Sequence, residues 1–330
     1  MTASKSVLVT GAAGFIGSNI ARSLSADGFQ VTICDWFGED DRWKNVSDVV
    51  IHDIVRPEDL AAWLARPDRS LGAVVHMGAI SATTERDVNA IIANNIRLSL
   101  DLWDYCRFHG VKFVYASSAA TYGSGEGGFV DDDSAAGLAR LEPLNPYGWS
   151  KHFVDRRIVD DVARGERTPP CWAGLKFFNV YGPREAHKGS MRSVVHQIWP
   201  AAARGETVRL FRSDHPKFED GGQQRDFIYV DDCVEIVRRV LASERAGGIY
   251  NAGTGKARSF CDLALAVFAA VGREPNIEYV DMPEALKGRY QYFTQADVTR
   301  VTAVGLAPQF RSLEQGVAEY VAWLEARPDR

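Results

Sequence analysis

Short apolar runs bounded by turn residues alternate with longer helical patterns along the first half of the chain. Runs this short and uniformly apolar are typical of strands buried on both faces of a parallel sheet. Strands that alternate with helices predict right-handed βαβ units. Strands are predicted at residues 7–9, 31–33, 49–51, 73–75, 113–115 and 172–178, and helices at 16–25, 57–65, 88–109 and 147–164.

This rhythm changes after residue 178, where glycine, proline and charged residues become more frequent. Residues 227–241 predict a further helix, residues 248–251 a strand, and residues 313–324 have helical spacing. We therefore expect an α/β fold, a Rossmann-type doubly wound parallel sheet with a smaller C-terminal substrate-binding lobe. The dinucleotide-binding domain is predicted at residues 1–178 with 226–256 returning to it, and the lobe mainly at 179–225 and 257–330.

The composition is that of an ordinary globular protein, with 330 residues of which 46% are hydrophobic and 25% charged. The formal net charge is -5 and the basic residues are scattered, so neither nucleic acid nor a membrane surface is an expected partner. No apolar run approaches the roughly 20 residues of a membrane span, and the N-terminus leaves no room for a signal peptide. Five cysteines without a CxxC pair predict buried thiols, no metal site and a cytoplasmic location.

A glycine-rich turn follows the first predicted strand and opens the first helix. Its spacing is GxxGxxG, with Gly11 suited to a tight turn, Gly14 to close approach of a ligand, and Gly17 to helix packing. Backbone N–H groups at such a helix start can hold a pyrophosphate. A chance cluster is the alternative, but the position between strand and helix favours a dinucleotide cofactor.

Three charged residues bear on which dinucleotide is bound. Asp35 ends the second predicted strand, where a carboxylate hydrogen-bonds an adenosine ribose and favours NAD. Arg42 could instead pair with a 2′-phosphate, or it could be a solvated loop charge. Asp53 follows the third predicted strand and could contact the adenine amino group or cap a helix. The choice between NAD and NADP therefore stays open.

The candidate catalytic residues begin with Tyr147 and Lys151, which an Asn-Pro helix start places four residues apart on one helix face. A free tyrosine titrates near ~10, so an adjacent ammonium that lowers its pKa would let Tyr147 act as an acid or base. Ser118, at the end of the fifth predicted strand, could hydrogen-bond the same substrate oxygen. Chance YxxxK pairs are common on helices, but the glycine loop and Ser118 favour redox chemistry at a hydroxyl.

With these motifs in place, nearly the whole chain resembles the extended short-chain dehydrogenase/reductase family. The resemblance rests on residues 10–17, 76–79, 117–118 and 147–151. Longer matches point to the branch of that family that acts on C6 of an ADP-linked heptose. These matches lie at residues 117–123, 177–185, 187–191, 287–291 and 293–297.

The resemblance implies an isomerase that interconverts ADP-D-glycero- and ADP-L-glycero-D-manno-heptose, a precursor of the lipopolysaccharide core. Bound NADP, or NAD, would oxidise C6 and return the hydride to the opposite face. Two acid/base groups suit that task, and they carry over to Tyr147 and Lys188. From the residues alone, a phosphate-side or loop charge is the preferred interpretation of Lys188. The resemblance also implies a homo-oligomer.

The same resemblance assigns binding residues. The implied cofactor residues are Gly11, Gly14, Phe15, Ile16, Gly17, Asp35, Trp36, Arg42, Asp53, Met77, Gly78, Ala79, Ile80, Ser81, Asn94, Lys151, Val180 and Lys188. The implied substrate residues are Asn179, Ser190, Gln197, Phe211, Arg212, Ser213, Asp214, Arg225 and Tyr290. The family has a histidine where this chain has Gln197, and His196 stands one position earlier.

Two classes of rival function remain: another nucleotide-sugar enzyme of the same fold, and a non-catalytic dinucleotide sensor. A UDP-sugar 4-epimerase of the same fold needs no second base, because the sugar can rotate in the site, and Lys188 therefore separates it from a 6-epimerase. A dehydratase would place an acidic pair after Ser118, where this chain has Ala119 and Ala120. A non-catalytic dinucleotide sensor would have no reason to keep Ser118, Tyr147 and Lys151 together.

Overall fold

The computed structural model describes residues 5–283 and 291–327. The strands are β1 (Ser6–Thr10), β2 (Gln30–Cys34), β3 (Asp53–Val55), β4 (Ala73–His76), β5 (Lys112–Ser118), β6 (Trp172–Phe177), β7 (Asn179–Tyr181), β8 (Val208–Phe211), β9 (Gln224–Tyr229), β10 (Gly247–Ala252), β11 (Ala257–Ser259) and β12 (Ile277–Val280). The α-helices are α1 (Phe15–Ala26), α2 (Leu60–Leu64), α3 (Val88–Ile91), α4 (Leu98–His109), α5 (Ala135–Ala139), α6 (Pro146–Ala163), α7 (Val194–Arg204), α8 (Val230–Ala242), α9 (Phe260–Ala270), α10 (Thr299–Ala303) and α11 (Leu313–Glu325).

A seven-stranded sheet in the order β10-β6-β5-β4-β1-β2-β3 forms the centre of the protein. Every neighbouring pair in it is parallel. Helices cover both faces, as the short apolar runs predict, because a parallel sheet needs a crossover helix between successive strands. The predicted Rossmann-type α/β fold is confirmed.

Two separate hydrophobic clusters cover the two faces of this sheet. Val7 and Val9 of β1 pack with α1 and α8, while Leu8 between them packs with Trp103 of α4 and with α6. Side chains alternate between faces along a strand, so one continuous apolar run supplies both clusters. The sheet is therefore rigid at its centre, which holds the loops at its carboxyl edge in place.

The remaining strands form two small sheets, β11-β9-β7 and β12-β8. They pack with α7, α9 and α11 around a third hydrophobic cluster. β10 joins the large sheet beside β6, so the chain passes through the small sheets and back. The exact division into two domains stays a prediction. No helix among the described residues is long and apolar enough to cross a membrane.

Two predicted elements are wrong in position. The third strand is not at residues 49–51 but at β3, and Val50 is 82% exposed. β3 lies at the edge of the sheet, where one side faces solvent and an apolar run is not required. The first residues of the helix predicted at 227–241 belong to β9, which pairs with both β7 and β11. A strand buried on both sides has no helical or alternating signature of its own.

Candidate functional site

The loops at the carboxyl edge of the large sheet carry most of the predicted catalytic and cofactor residues. The glycine loop follows β1, Asp35 follows β2, and residues 77–81 follow β4. Ser118 ends β5, and Asn179 begins β7 just after β6. Carboxyl ends of parallel strands meet at one edge of a sheet, which is where α/β folds bind their ligands.

The glycine loop has the geometry that its spacing predicts. Gly11 has a φ of +65°, and a Cβ there would lie 2.5 Å from the backbone nitrogen of Gly78. A Cβ on Gly17 would lie 2.1 Å from the carbonyl oxygen of Gly11. Gly14 caps α1 without a side-chain hydrogen bond, and the first turn has no acidic residue. The positive end of α1 is therefore open to an anionic group such as a dinucleotide pyrophosphate.

Asp35 is tied to the glycine loop. Its carboxylate accepts hydrogen bonds from the N–H of Ala13 and of Trp36, each at 2.8 Å. Burial nevertheless raises the pKa of Asp35 above its usual range. The Trp36 indole donates to Glu58 at 2.6 Å, and the Arg42 guanidinium is held by Asp40 at 2.7 Å. The carboxylates of Asp35 and Asp40 thus lie beside Arg42, the residue predicted to bind a 2′-phosphate.

Asp53 does not follow the third strand, as the sequence predicts, but is the first residue of β3. Its carboxylate accepts hydrogen bonds from the Trp63 indole and from the N–H of Ile54, both at 2.9 Å. Because the third strand begins a few residues later than predicted, Asp53 lies at its amino end and not beyond its carboxyl end. Its contact with an adenine stays a prediction.

The loop after β4, with Met77, Gly78, Ala79, Ile80 and Ser81, is anchored by a residue that sequence reasoning missed. Asn95 donates to the carbonyl oxygen of Ile80 at 3.0 Å and accepts from its N–H at 2.8 Å. Asn95 also donates to Ser150 of α6 at 3.0 Å. It lies in a π-helical segment (Ile92–Arg97) between α3 and α4. The predicted cofactor residue Asn94 instead donates to Ala90 within its own helix at 2.8 Å.

The predicted helix start at Asn145 and Pro146 is confirmed, because the Asn145 side chain caps α6 at the N–H of Gly148. Tyr147 and Lys151 then share one side of α6, with the lysine nitrogen 6.0 Å from the centre of the tyrosine ring.

Ser118 from the end of β5 hydrogen-bonds the Tyr147 hydroxyl and also accepts from the N–H of Ala120 at 3.1 Å. The structure thus brings Ser118, Tyr147 and Lys151 together.

The ionisation of this group differs from the expected one. The pKa of Tyr147 is raised, not lowered, because burial penalises the phenolate more than the Ser118 hydrogen bond stabilises it. Lys151 is itself buried, and burial lowers its pKa to about 8. Burial and the Ser118 hydrogen bond, rather than the charge of Lys151, therefore set the direction of the Tyr147 shift. Tyr147 therefore holds its proton in this structure.

Lys188 lies in a 3₁₀ segment (Ala186–Met191) far from α1 in sequence. Its nitrogen stands 5.2 Å from the centre of the Phe15 ring, at the start of α1. Burial lowers its pKa, while the Glu185 carboxylate acts in the opposite direction. A lysine with a lowered pKa can serve as a base, as the predicted second acid/base role requires.

Asn45, which no sequence pattern singles out, fixes this 3₁₀ segment against the glycine loop. Its amide donates to the carbonyl oxygen of Ala13 at 2.9 Å and lies 3.0 Å from the ring nitrogen Nδ1 of His187. Glu185 holds the other end, because it accepts from the N–H of Ser193 at 2.6 Å. Lys188 is thereby held beside the glycine loop and the start of α1.

Three other predicted cofactor residues have apolar side chains that contact the core. Ile16, Met77 and Val180 are partly buried and pack against the first hydrophobic cluster. Their side chains can therefore offer only apolar contact to a ligand.

The predicted substrate residues fall into two groups. Asn179, Ser190 and Gln197 are exposed, and the Gln197 amide donates to the carbonyl oxygen of Arg192 at 2.7 Å. His196, one position earlier on α7, is buried against Tyr320 with ring centres 6.2 Å apart. The one-residue offset thus turns the histidine into the core and leaves Gln197 outside, as 100° per helical residue requires.

The second group lies at the end of β8 and in β9. Phe211 ends β8, and Arg212 forms ion pairs with Asp281 and Asp220. The next two residues along the chain are Ser213, half-buried, and Asp214, exposed. Arg225 in β9 is buried with its guanidinium 5.7 Å from the Phe260 ring. Tyr290 lies outside the described residues.

Comparison with known proteins agrees with this geometry. A model described as the NAD dependent epimerase/dehydratase family matches residues 7–253. An ADP-L-glycero-D-manno-heptose-6-epimerase of Nitratidesulfovibrio vulgaris (strain DP4) is 46% identical over 325 residues, covering 98% of each chain.

Two solved structures have the same fold. The ADP-L-glycero-D-manno-heptose-6-epimerase of Helicobacter pylori superposes with a TM-score of 0.80 at 26% identity, over 98% of this chain and 97% of that one. A UDP-glucose 4-epimerase of Thermus thermophilus, in complex with NAD, has a TM-score of 0.76 at 28% identity, over 98% and 99%.

Proposed function

The chain belongs to the NAD dependent epimerase/dehydratase family, and from that premise we propose that it is an ADP-glyceromanno-heptose 6-epimerase. It would interconvert ADP-D-glycero- and ADP-L-glycero-D-manno-heptose, with no net oxidation. The observation that carries this proposal is the 46% identity with a heptose epimerase along 98% of the chain. A UDP-sugar 4-epimerase shares the fold at 28% identity, so the fold alone does not choose between the two substrates.

A bound nicotinamide dinucleotide supplies the hydride acceptor and donor for this chemistry. On one side of the substrate, Lys188, whose pKa is lowered by burial, takes the proton of the C6 hydroxyl during oxidation. On the other side, Tyr147 donates its proton to the carbonyl oxygen that the opposite face presents during reduction, and Ser118 holds the same oxygen by a hydrogen bond. The two roles exchange in the reverse direction. Lys151 positions the cofactor ribose and stabilises the Tyr147 phenolate when it forms.

Two features of the structure support opposed roles for Tyr147 and Lys188. Tyr147 is carried by α6 and contacts Ser118 at the end of β5, whereas Lys188 is carried by the 3₁₀ segment and contacts Phe15 of α1. The two side chains thus approach the edge of the sheet from separate elements. The lowered pKa of Lys188 suits a base, and the raised pKa of Tyr147 suits an acid.

For the cofactor we propose NADP, with Arg42 at its 2′-phosphate and the glycine loop at its pyrophosphate. Asp35 and Asp40 beside Arg42 favour NAD instead. Extraction of the nucleotide bound to the purified protein, followed by mass spectrometry, decides between them. If Arg42 contacts the 2′-phosphate, Arg42→Ala should weaken the binding of NADP and leave the binding of NAD unchanged.

For the substrate we propose that Arg225 binds the diphosphate and that Phe211–Asp214 line the nucleotide, with Asn179, Ser190, Gln197 and Tyr290 at the sugar. A cytoplasmic location fits the five cysteines, which are all free thiols. We also propose that the protein forms a homo-oligomer and that the chain divides into a dinucleotide-binding domain and a substrate-binding lobe.

The test is incubation of the purified protein with ADP-D-glycero-D-manno-heptose and, separately, with UDP-glucose, with product epimers resolved by chromatography. We expect equilibration of the heptose and none of the glucose. The double variant Tyr147→Phe/Lys188→Met should be inactive, whereas exchange of the exposed Lys256 for methionine should leave activity intact. Conversion of UDP-glucose alone, or an active double variant, would refute the proposal.

A further inference from the structure

A buried ion pair lies beneath the predicted catalytic group. The Lys176 nitrogen of β6 is 2.9 Å from the Asp155 carboxylate of α6, and the two side chains are 1% and 0% exposed. Tyr115 and Ser117 of β5 donate to the same carboxylate at 2.9 and 2.8 Å. Lys176 also donates to Thr121 at 2.6 Å. Each oxygen of Asp155 is thus hydrogen-bonded.

Such a pair is costly to keep for stability alone. Removing two ions from water costs several kcal/mol per ion, and apolar replacements of a buried pair are often neutral or stabilising. Its location gives it another use. Asp155 stands one helical turn after Lys151 on α6, and Ser117 directly precedes Ser118 on β5.

We propose that Asp155 and Lys176 are positioning residues that set the protonation equilibrium of Lys151. Asp155 is shared by two lysines, because its carboxylate contacts Lys176 directly and acts on Lys151 through space. Because Lys176 contacts the carboxylate directly, its positive charge offsets part of the negative charge that Asp155 presents to Lys151. The inference rests on the role proposed for Lys151, although its test does not.

Other titratable groups around Lys151 are uncharged at neutral pH. His76 of β4 hydrogen-bonds Thr10 and Ser99, and burial lowers its pKa to about 3. Burial likewise lowers the pKa of His152 to about 4 and raises the pKa of Tyr147 and Tyr115. Among the described residues, the charge that acts on Lys151 is therefore that of Asp155, and Lys176 bears on Lys151 through its contact with that carboxylate.

The experiment is a pH titration by ¹³C NMR of the purified protein carrying [6-¹³C]lysine, without substrate. The chain has nine lysines, and loss of one resonance in Lys151→Arg assigns Lys151. In Lys176→Met, Asp155 faces Lys151 alone, so the Lys151 midpoint should rise by about 1 pH unit or more. In Asp155→Asn the countercharge is lost, and the midpoint should fall by a similar amount.

Two matched controls isolate the charge. Lys176→Arg keeps the cation and should leave the midpoint of Lys151 unchanged. Lys112→Met removes a different lysine, at the start of β5, which donates to the carbonyl oxygens of Leu241 and Ser243, and it should also leave the midpoint unchanged. If the ion pair has only a structural role, the Lys176 and Asp155 variants should lose thermal stability, and the titration midpoint of Lys151 should not shift.

A folded Lys176→Met protein with an unshifted midpoint overturns the proposal. If that variant does not fold, Asp155→Asn/Lys176→Met leaves no unpaired charge. Its midpoint should fall below that of the wild type, because the nearer Asp155 is lost, and an unchanged midpoint again overturns the proposal. A protein that shows the shifts but does not epimerise ADP-heptose refutes the proposed function and leaves this inference standing.

Discussion

Replacing Gly17 by alanine should disrupt the packing of α1 against the glycine loop. The new Cβ would lie 2.1 Å from the carbonyl oxygen of Gly11, whereas real Cβ contacts essentially never fall under 3.0 Å. The loop or α1 must therefore move by about 1 Å, and overpacking of this kind costs roughly 1–3 kcal/mol. A displacement of about 1 Å in a positioning element can also lower the reaction rate about 100-fold.

The assay is a graded series measured by chemical unfolding and by nicotinamide dinucleotide binding. Gly14→Ala meets the same oxygen at 3.1 Å and should lose less than about 1 kcal/mol. Gly127→Ala has no atom within 4 Å and serves as the neutral control. Equal stability and cofactor affinity in Gly17→Ala and Gly127→Ala would refute the view that Gly17 is required for close packing of helix and loop.

Three further predictions concern ionisation. Ser118→Ala should lower kcat by about 10- to 100-fold. Because the Ser118 hydrogen bond lowers the pKa of Tyr147, its loss should also move the basic limb of the pH–rate profile to higher pH. A basic limb at the wild-type pH would contradict the contact between Ser118 and Tyr147. Glu185→Gln removes the carboxylate that raises the pKa of Lys188, so the limb that reports Lys188 should move to lower pH, with Glu244→Gln as the exposed control. Burial lowers the pKa of His196 to about 4, below its unfolded value near 6.5, so its contribution to stability is present above pH ~6.5 and is lost as pH falls. His196→Gln should therefore reduce the slope of the unfolding free energy between pH ~6 and ~5 by about 1.4 kcal/mol per pH unit, as measured by urea unfolding.

Local pattern was enough to predict the sheet, the glycine loop and the start of α6. Each depends on neighbouring residues: an apolar run, a glycine spacing, and the Asn145–Pro146 cap. The sequence misplaces β3 and predicts helix over part of β9, because both strands depend on partner strands that are distant in sequence. The resemblance to the extended short-chain dehydrogenase/reductase family is confirmed by the family match and by the 46% identical relative.

The supports of the site could not be predicted in the same way. Asn45 reaches Ala13 and His187 across 32 and 142 residues, and Asn95 reaches Ser150 across 55 residues. Lys176 meets Asp155 only because β6 and α6 pack together. The same is true of the ionisation state, because the raised pKa of Tyr147 follows from burial, and an i,i+4 spacing carries no information about burial.

The central claim is that Tyr147 and Lys188 invert C6 of an ADP-linked heptose by removal and return of one hydride. NMR of ADP-D-glycero-D-manno-heptose incubated with the protein in deuterium oxide tests it most directly. We expect a mixture of both C6 epimers in which C6 keeps its original hydrogen. Deuterium at C6, or a substrate whose C6 configuration never changes, would contradict it.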